Sequence, residues 1–195
     1  NYENIHQPDI TLCDYVGGEC NALLAYLMLA SDDIAERVRT IPVCFIIPPS
    51  PFLADERVFP FIGPLKVAAE LRDNGNRVEV LDLSGYTNYE KIVEEYCRQT
   101  DIVTFGLTAT TPQLPNAVLV QNAIRNVVPC ARVILGGPHV TMTHTAYQMD
   151  QKLKRDRRGS HAWRSLLGLF DRLVVGDGEL AIYPAIDPCS EQRII

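Results

Sequence analysis

Three short segments combine glycine with small or charged side chains at the point where an apolar run ends. They read TATT at residues 108–111, GGPHVT at residues 136–141 and GDGE at residues 176–179. Glycines let backbone approach a ligand closely, and small hydroxyls can hydrogen-bond to its polar edges. No side chain in the chain has the setting of a general acid, a general base or a nucleophile. The chemistry that these segments indicate is therefore ligand binding, and no residue is predicted to be catalytic.

Two carboxylates in the last segment resemble a catalytic pair at first sight. Asp177 and Glu179 lie, however, in a connection between a predicted strand and a predicted helix. At such positions Asp177 is expected to hydrogen-bond within the loop, and Glu179 to place its charge at the positive end of the helix dipole. His139, after the fourth predicted strand, is interpreted as a contact or structural residue.

Five mostly apolar runs are the predicted strands that position these segments. They cover residues 42–48, 77–83, 102–107, 133–135 and 173–175. Runs of this kind are typical of parallel strands, which are buried on both faces and need helical crossovers between them. The sequence predicts an α/β fold with a doubly wound, flavodoxin-like five-stranded parallel sheet of order 2-1-3-4-5.

Helical patterns with start and stop signals separate the strands. The first has Pro64 in its first turn and ends at Gly75. Thr87 and Glu90 are predicted to form a capping box that opens the second, and Pro112 fits the first turn of the third. These patterns supply the crossovers that a parallel sheet requires.

In doubly wound sheets, ligands bind outside the carboxyl ends of the strands where the strand order reverses. Here that point lies between the first and third strands, within reach of the loops at residues 49–61, 108–111, 136–141 and 176–179. The first of these loops is long for a connection between a strand and a helix. Its Phe52, Phe59 and Phe61 can either line an apolar wall or hold the loop on the core.

Composition narrows the class of protein. The chain has 195 residues and 47% hydrophobic content, enough for one full core, and its net charge of -6 disfavours nucleic acid as a partner. The apolar stretch at residues 21–30 is too short to span a membrane, which takes about 20 residues. Six cysteines without a C-x-x-C pair favour a reduced, cytoplasmic protein.

Three parts are predicted along the chain. Residues 1–40 form a helical extension, residues 41–187 a Rossmann-like ligand-binding domain, and residues 188–195 the start of a linker. Residues 152–164 contain six Lys and Arg residues. This basic stretch is interpreted as solvated surface, with a docking surface for another domain or an anionic partner as the alternative.

An ordered set of motifs resembles a known family. They are PPSP, GPLKVAAELRDNG, VEVLDL, DIVTFGLTATT, VILGGPHVT and LVVGDGE, and they cover roughly residues 42–184. In this order they resemble the cobalamin (B12)-binding domain at the N-terminus of B12-dependent radical SAM enzymes. One motif departs from the pattern, since the family's GEGE reads GDGE here.

The resemblance implies that the domain holds cobalamin with its nucleotide tail directed toward the sheet. Thr108 then contacts the tail, and the glycines at 136 and 137 make room for it. A bulky residue in place of Gly137 is expected to block the tail while leaving the fold largely intact. The cofactor-binding residues expected from the loops and the resemblance are Pro49, Ser50, Thr108, Ala109, Thr110, Gly136, Gly137, Pro138, His139, Gly176, Gly178 and Glu179.

The resemblance also implies the state of the cofactor. Other B12-binding proteins carry D-x-H-x-x-G after the first strand, and its histidine ligates cobalt. Residues 48–56 read PPSPFLADE here and contain no histidine. A base-off cobalamin without a histidine ligand is implied, so that no residue of this chain is expected to bind the metal.

The chemistry of a radical SAM enzyme needs residues that this sequence lacks. The C-x3-C-x2-C motif that holds a 4Fe-4S cluster is absent. S-adenosylmethionine and the cluster are expected in a C-terminal radical SAM domain, on the same or a separate chain. The expected function is therefore a cobalamin-binding, non-catalytic module of a methyltransferase-type enzyme that acts on an unknown small-molecule substrate.

Two alternatives from other classes remain. One is a nucleotide-binding or regulatory Rossmann-like domain, although no G-x-G-x-x-G follows the first strand. The other is a structural interaction domain that docks through the basic stretch.

Overall fold

The computed structural model describes residues 33–50, 52, 53, 55–58 and 60–195. Most of the helical extension predicted at residues 1–40 lies outside the described residues. Residues 33–38 are helical. In the described part of the chain, no helix is both long and apolar enough to cross a membrane.

A five-stranded sheet forms the centre of the molecule. Its strands are β1 (Val43–Ile47), β2 (Val78–Asp82), β3 (Thr104–Thr108), β4 (Arg132–Gly136) and β5 (Arg172–Leu173). All neighbouring strands pair in parallel, and their order is β2-β1-β3-β4-β5. This arrangement confirms the predicted flavodoxin-like topology. Strand β1 is buried along its whole length, whereas Val80 of the edge strand β2 is 42% exposed.

In the described part of the chain, six helices that follow β1 cover the two faces of this sheet. They are α1 (Ile62–Asp73), α2 (Tyr89–Gln99), α3 (Leu114–Val127), α4 (Pro138–Lys152), α5 (Arg158–Leu169) and α6 (Gly178–Ile186). Side chains of α1 and α6 pack with Phe45 and Ile134 on one face. Side chains of α2, α3 and α5 pack with Cys44, Phe105 and Val133 on the other. Burial on both faces explains why the central strands are apolar throughout.

Helix α5 and the length of α4 were not predicted from the sequence. Charged residues obscure the apolar positions of α5, but Trp163 is only 1% exposed and its ring stacks on Tyr147 of α4 at 5.9 Å. Asp150 of α4 accepts hydrogen bonds from the backbone N–H of Ser160 at 3.0 Å and from its hydroxyl at 3.2 Å. This carboxylate satisfies a free N–H in the first turn of α5.

The predicted capping box at Thr87 and Glu90 is wrong. Helix α2 begins at Tyr89, and its N-cap residue makes no side-chain hydrogen bond. A comparable capping interaction lies before α3, where the N–H of Thr110 donates to the Oε1 of Gln113 at 3.0 Å. The Nε2 of Gln113 donates in turn to the Pro48 carbonyl at 3.0 Å, which ties this turn to the end of β1.

Two arginines, Arg172 buried and Arg132 half-buried, bind the C-terminal end of α6. Arg172, only 7% exposed, donates to the carbonyls of Pro184 at 2.8 Å, Ala185 at 2.6 Å and Asp187 at 2.8 Å. Arg132 donates to the Ile186 carbonyl at 2.8 Å. The last carbonyls of a helix lack partners within it, and these guanidinium groups replace them.

The last residues of the chain extend the sheet. The N–H of Leu173 donates to the Arg193 carbonyl at 2.8 Å, and the N–H of Val175 donates to the Ile195 carbonyl at 2.9 Å. The linker expected at residues 188–195 stays a prediction, with its final residues paired to β5.

Candidate ligand-binding site

A cavity of about 280 Å³ opens at the carboxyl ends of β3 and β4. It lies between the sheet and the two helices α1 and α6, which form its walls. Ligand pockets typically measure about 300–1,000 Å³, so this one is sized for a compact group. Its place, outside the strand ends and near the reversal of strand order, is the place where doubly wound folds bind ligands.

The floor of the cavity is a row of residues paired across three strands. Phe45 of β1 pairs with Gly106 of β3, which pairs with Ile134 of β4. A Cβ at position 106 would lie 2.7 Å from two ring carbons of Phe45. Because residue 106 is glycine, the ring of Phe45 can lie across β3. The resulting floor of the cavity is flat and apolar.

The next row toward the opening pairs Thr108 with Gly136. A Cβ at position 136 would meet Val174 at 3.6 Å, an ordinary contact. Gly136 follows Ile134 by two residues in β4, and alternation along a strand places both on the cavity side. Position 136 can therefore carry a side chain, and that side chain would occupy the cavity.

Gly137 has a different constraint. Its φ is +95°, and a Cβ there would lie 2.6 Å from the Thr108 Oγ1 and 3.0 Å from the backbone nitrogen of Ala109. A larger residue at 137 would strain the backbone and displace the loop after β3. The expectation that Gly137→Leu leaves the fold intact is therefore not supported, and Gly136 is the better position for a test.

The two walls contact each other beside the cavity. A Cβ at Gly178 of α6 would lie 2.8 Å from the Cγ2 of Val67 of α1. Lys66 and Glu179 form a salt bridge that joins the same two helices beside the cavity. The hydrogen bond from Lys66 lowers the pKa of Glu179, and the same hydrogen bond raises the pKa of Lys66.

This pair gives a testable pH dependence. Because the pKa of Glu179 is lower in the folded state, its pairing stabilises the fold above the unfolded-state pKa and is lost as pH falls through the folded-state value. Lys66→Met is expected to return the Glu179 pKa toward its ordinary value. Carboxyl-carbon NMR titration of both proteins measures this. An identical Glu179 titration in the two would contradict the pairing.

The cavity brings together seven of the twelve residues expected at the cofactor, and five lie elsewhere. The lining includes Thr108, Gly136, Gly137, Pro138, Gly176, Gly178 and Glu179. The residues outside the lining are Pro49, Ser50, Ala109, Thr110 and His139. Their assignment to the cofactor stays a prediction.

The loop after β1 turns away from the cavity. The Pro49 carbonyl accepts a hydrogen bond from the Nδ2 of Asn116 in α3 at 3.0 Å. The N–H of Ser50 donates to the carboxylate of Glu56 at 2.6 Å, and Ser50 is 4% exposed. Phe52 is 77% exposed and outside the lining, so it belongs neither to the cavity nor to the core.

His139, in the first turn of α4, contacts the loop after β3 beside the cavity. Its Nδ1 lies 3.0 Å from the Oγ1 of Thr111, and its Nε2 lies 3.4 Å from the Oγ1 of Thr143. Its N–H donates to the Ala109 carbonyl at 3.0 Å. Burial lowers the pKa of the imidazole, so the ring is neutral at pH 7. These contacts agree with the interpretation of His139 as a structural residue.

Several lining residues were missed in the sequence. Phe45, Ile134 and Val174 look like ordinary core residues, and Lys66 and Val67 like ordinary residues of a helix. Gly106 is a residue of the sequence that could have indicated the cavity, since glycine within a strand often marks a place where another group approaches the backbone closely.

Metal ligands are not clustered in the described residues, and the buried thiols are not activated. The described residues contain no cluster of His, Cys, Asp or Glu side chains that could hold a metal ion. Cys44 and Cys97 are buried and free, and burial raises their pKa to about 12 and about 11. Both thiols are protonated at neutral pH, so neither is activated as a nucleophile.

No family model and no curated protein matches the chain. Two similar solved structures are of the radical S-adenosylmethionine methyltransferase TsrM from Kitasatospora setae. One, with tryptophan substrate and the SAM analog aza-SAM bound, has 19% identity and a TM-score of 0.45, over 53% of this chain and 20% of that one. The other, with cobalamin and a 4Fe-4S cluster bound, has 19% identity and a TM-score of 0.40, over 58% and 22%. The matched region is about a fifth of those proteins.

Proposed function

We propose that the chain binds cobalamin, with the nucleotide tail in the cavity and the corrin ring outside it, at the carboxyl edge of the sheet. The observation that carries this proposal is the cavity itself, where the Phe45 ring covers Gly106 in the floor and Gly136 places no side chain in the space above it. The same strands and loops carry the motifs that resemble a cobalamin-binding domain.

The residues of the cavity fit the chemistry of the tail. The ring of Phe45 and the side chains of Ile134 and Val174 offer an apolar surface to a planar heterocycle. Thr108 lies at the rim, where its hydroxyl can bond to the polar groups that follow the heterocycle. A cavity of about 280 Å³ suits the tail, and the larger corrin ring would remain outside.

The histidines support a base-off cofactor without a protein ligand to cobalt. The chain has four, and none lies in residues 48–56 directly after β1, the segment that carries the ligating histidine in other B12 proteins. His139 is engaged by two threonine hydroxyls, and the ring of His144 lies 4.7 Å from that of Trp163. The chain would therefore hold the cofactor through its tail.

Bound cobalamin supplies a cobalt centre that can carry a methyl group. The chain's own residues bind and orient: the floor excludes water from the tail, and Lys66 and Glu179 hold the two walls together. We propose a cofactor-binding module of a methyltransferase-type enzyme in the cytoplasm. S-adenosylmethionine cleavage would take place at a 4Fe-4S cluster in a radical SAM domain, on the same or a separate chain.

Titration with hydroxocobalamin tests the proposal. The protein should remain coloured after gel filtration, and its visible spectrum should be that of base-off cobalamin. A colourless protein that retains NAD or a mononucleotide would replace this function with nucleotide binding. A protein that retains neither cobalamin nor nucleotide would leave an interaction domain as the function.

A further inference from the structure

Residues 152–158, named here the basic turn, connect α4 to α5 and are exposed throughout. The basic turn contains two lysines and three arginines. Its one carboxylate, Asp156, pairs with Arg164 at 2.7 Å. The basic turn carries a net charge of +4 in a chain of net charge -6, so the other residues together carry -10. Positive charge is therefore concentrated at one place on an acidic molecule.

The arginines of the basic turn differ from all others in the chain. Of the 14 arginines, 11 pair with a carboxylate or donate to a backbone carbonyl of the described residues. These are Arg37, Arg39, Arg57, Arg72, Arg77, Arg98, Arg125, Arg132, Arg164, Arg172 and Arg193. Arg155, Arg157 and Arg158 have no such partner within the described part of the chain. Within the described residues, every other arginine side chain has a carboxylate or carbonyl partner, so these three guanidinium groups can bind a group of another molecule.

Apolar side chains flank the unpaired arginines. Met149 is 56% exposed and Leu153 is 49% exposed. Methionine and arginine are enriched in protein–protein interfaces, and a guanidinium matches a carboxylate with two parallel hydrogen bonds. Nucleic acids and anionic membranes require a broad basic face, and the other residues of this chain would repel them. These features favour a protein partner over a phosphate-rich surface.

We propose that the basic turn is a docking surface for an acidic protein. Carboxylates of the partner would pair with Arg155, Arg157 and Arg158, while its apolar side chains contact Met149 and Leu153. This surface is independent of the cavity, so it does not depend on the proposed cofactor.

Binding of fluorescently labelled acidic polypeptides to the full chain tests this proposal. The probes are poly-L-glutamate and a glutamate–tyrosine copolymer, and anisotropy gives the Kd. The copolymer should bind more tightly than poly-L-glutamate, because its tyrosine side chains can contact Met149 and Leu153. Changing Arg155, Arg157 and Arg158 together to Glu should weaken binding about tenfold or more, since three charge pairs become repulsive.

A matched variant separates the site from overall charge. Arg39, Arg72 and Arg98 are exposed and form only surface ion pairs, so changing all three to Glu alters net charge equally at little cost in stability. This control should keep its Kd within about threefold, because none of the three arginines belongs to the basic turn. Equal weakening in both variants would overturn the proposal.

Two further outcomes would also overturn it. Tighter binding to a duplex oligonucleotide or to phosphatidylserine vesicles than to the copolymer would assign the basic turn to a phosphate-bearing partner. Residues 1–32 contain five carboxylates and no lysine or arginine. Carbodiimide cross-links from Lys152 or Lys154 to those carboxylates, in protein without probe, would make the chain's own N-terminal segment the occupant.

Discussion

Gly136→Leu should weaken hydroxocobalamin binding by about 5- to 140-fold, since overpacking costs about 1–3 kcal/mol and each 1.4 kcal/mol is tenfold in Kd. The leucine side chain, at the carboxyl end of β4, would extend into the space between Thr108 and the helices α1 and α6. The backbone can accept it, because the first side-chain carbon meets Val174 at an ordinary 3.6 Å. Spectral titration gives the Kd, and circular dichroism reports whether the variant is folded.

Gly168→Leu is the matched control. Gly168 lies in α5, where a Cβ would meet nothing within 4 Å. The same substitution there should leave the Kd unchanged. Gly136→Ala gives a second, milder test, because a single methyl fits without displacement and still narrows the cavity. A folded Gly136→Leu protein that binds as the unaltered protein does would remove the tail from this cavity.

Arg172→Met should lower the free energy of unfolding by about 3–5 kcal/mol, as expected when a buried charged partner is removed and the groups it satisfied are left unpaired. Methionine keeps the apolar stem but provides no donor. The carbonyls of Pro184, Ala185 and Asp187 would then lose their hydrogen bonds at the end of α6. Because α6 forms one wall of the cavity, cobalamin binding should weaken as well.

Arg132→Met provides the comparison for this second prediction. Arg132 donates to one carbonyl of the same helix end, that of Ile186, so its loss should cost about 1 kcal/mol. Urea unfolding followed by circular dichroism measures both variants. Equal destabilisation by the two substitutions would show that the number of carbonyls satisfied is not what stabilises this end of α6.

The sequence was most informative where the signal is local. Continuous apolar runs predicted parallel strands, since only strands covered on both faces need no polar side. The right-handedness of crossovers then made 2-1-3-4-5 the leading strand order, and this is the order observed. The segments at residues 108–111, 136–141 and 176–179 were recognised because glycine and threonine directly follow these runs.

The site was only partly predictable, and the misses have physical causes. Pro49 and Ser50 follow β1 as expected, but the side chain of Asn116 draws the loop toward α3. The need for glycine at 137 was recognised, but its cause lies in contacts with the β3 loop and in a positive φ. Charged residues in α5 concealed the position of Trp163, which only its packing against α4 reveals.

By itself, then, the sequence determined the strand type, the topology and which loops carry glycine and hydroxyl groups, because these depend on local backbone preference and on the pattern of burial. Tertiary structure alone decided that Phe45 leans over Gly106, that Lys66 meets Glu179, and that Arg172 holds the end of α6. Each of these contacts joins residues far apart in the chain, and strand register and helix crossing angle set which side chains meet.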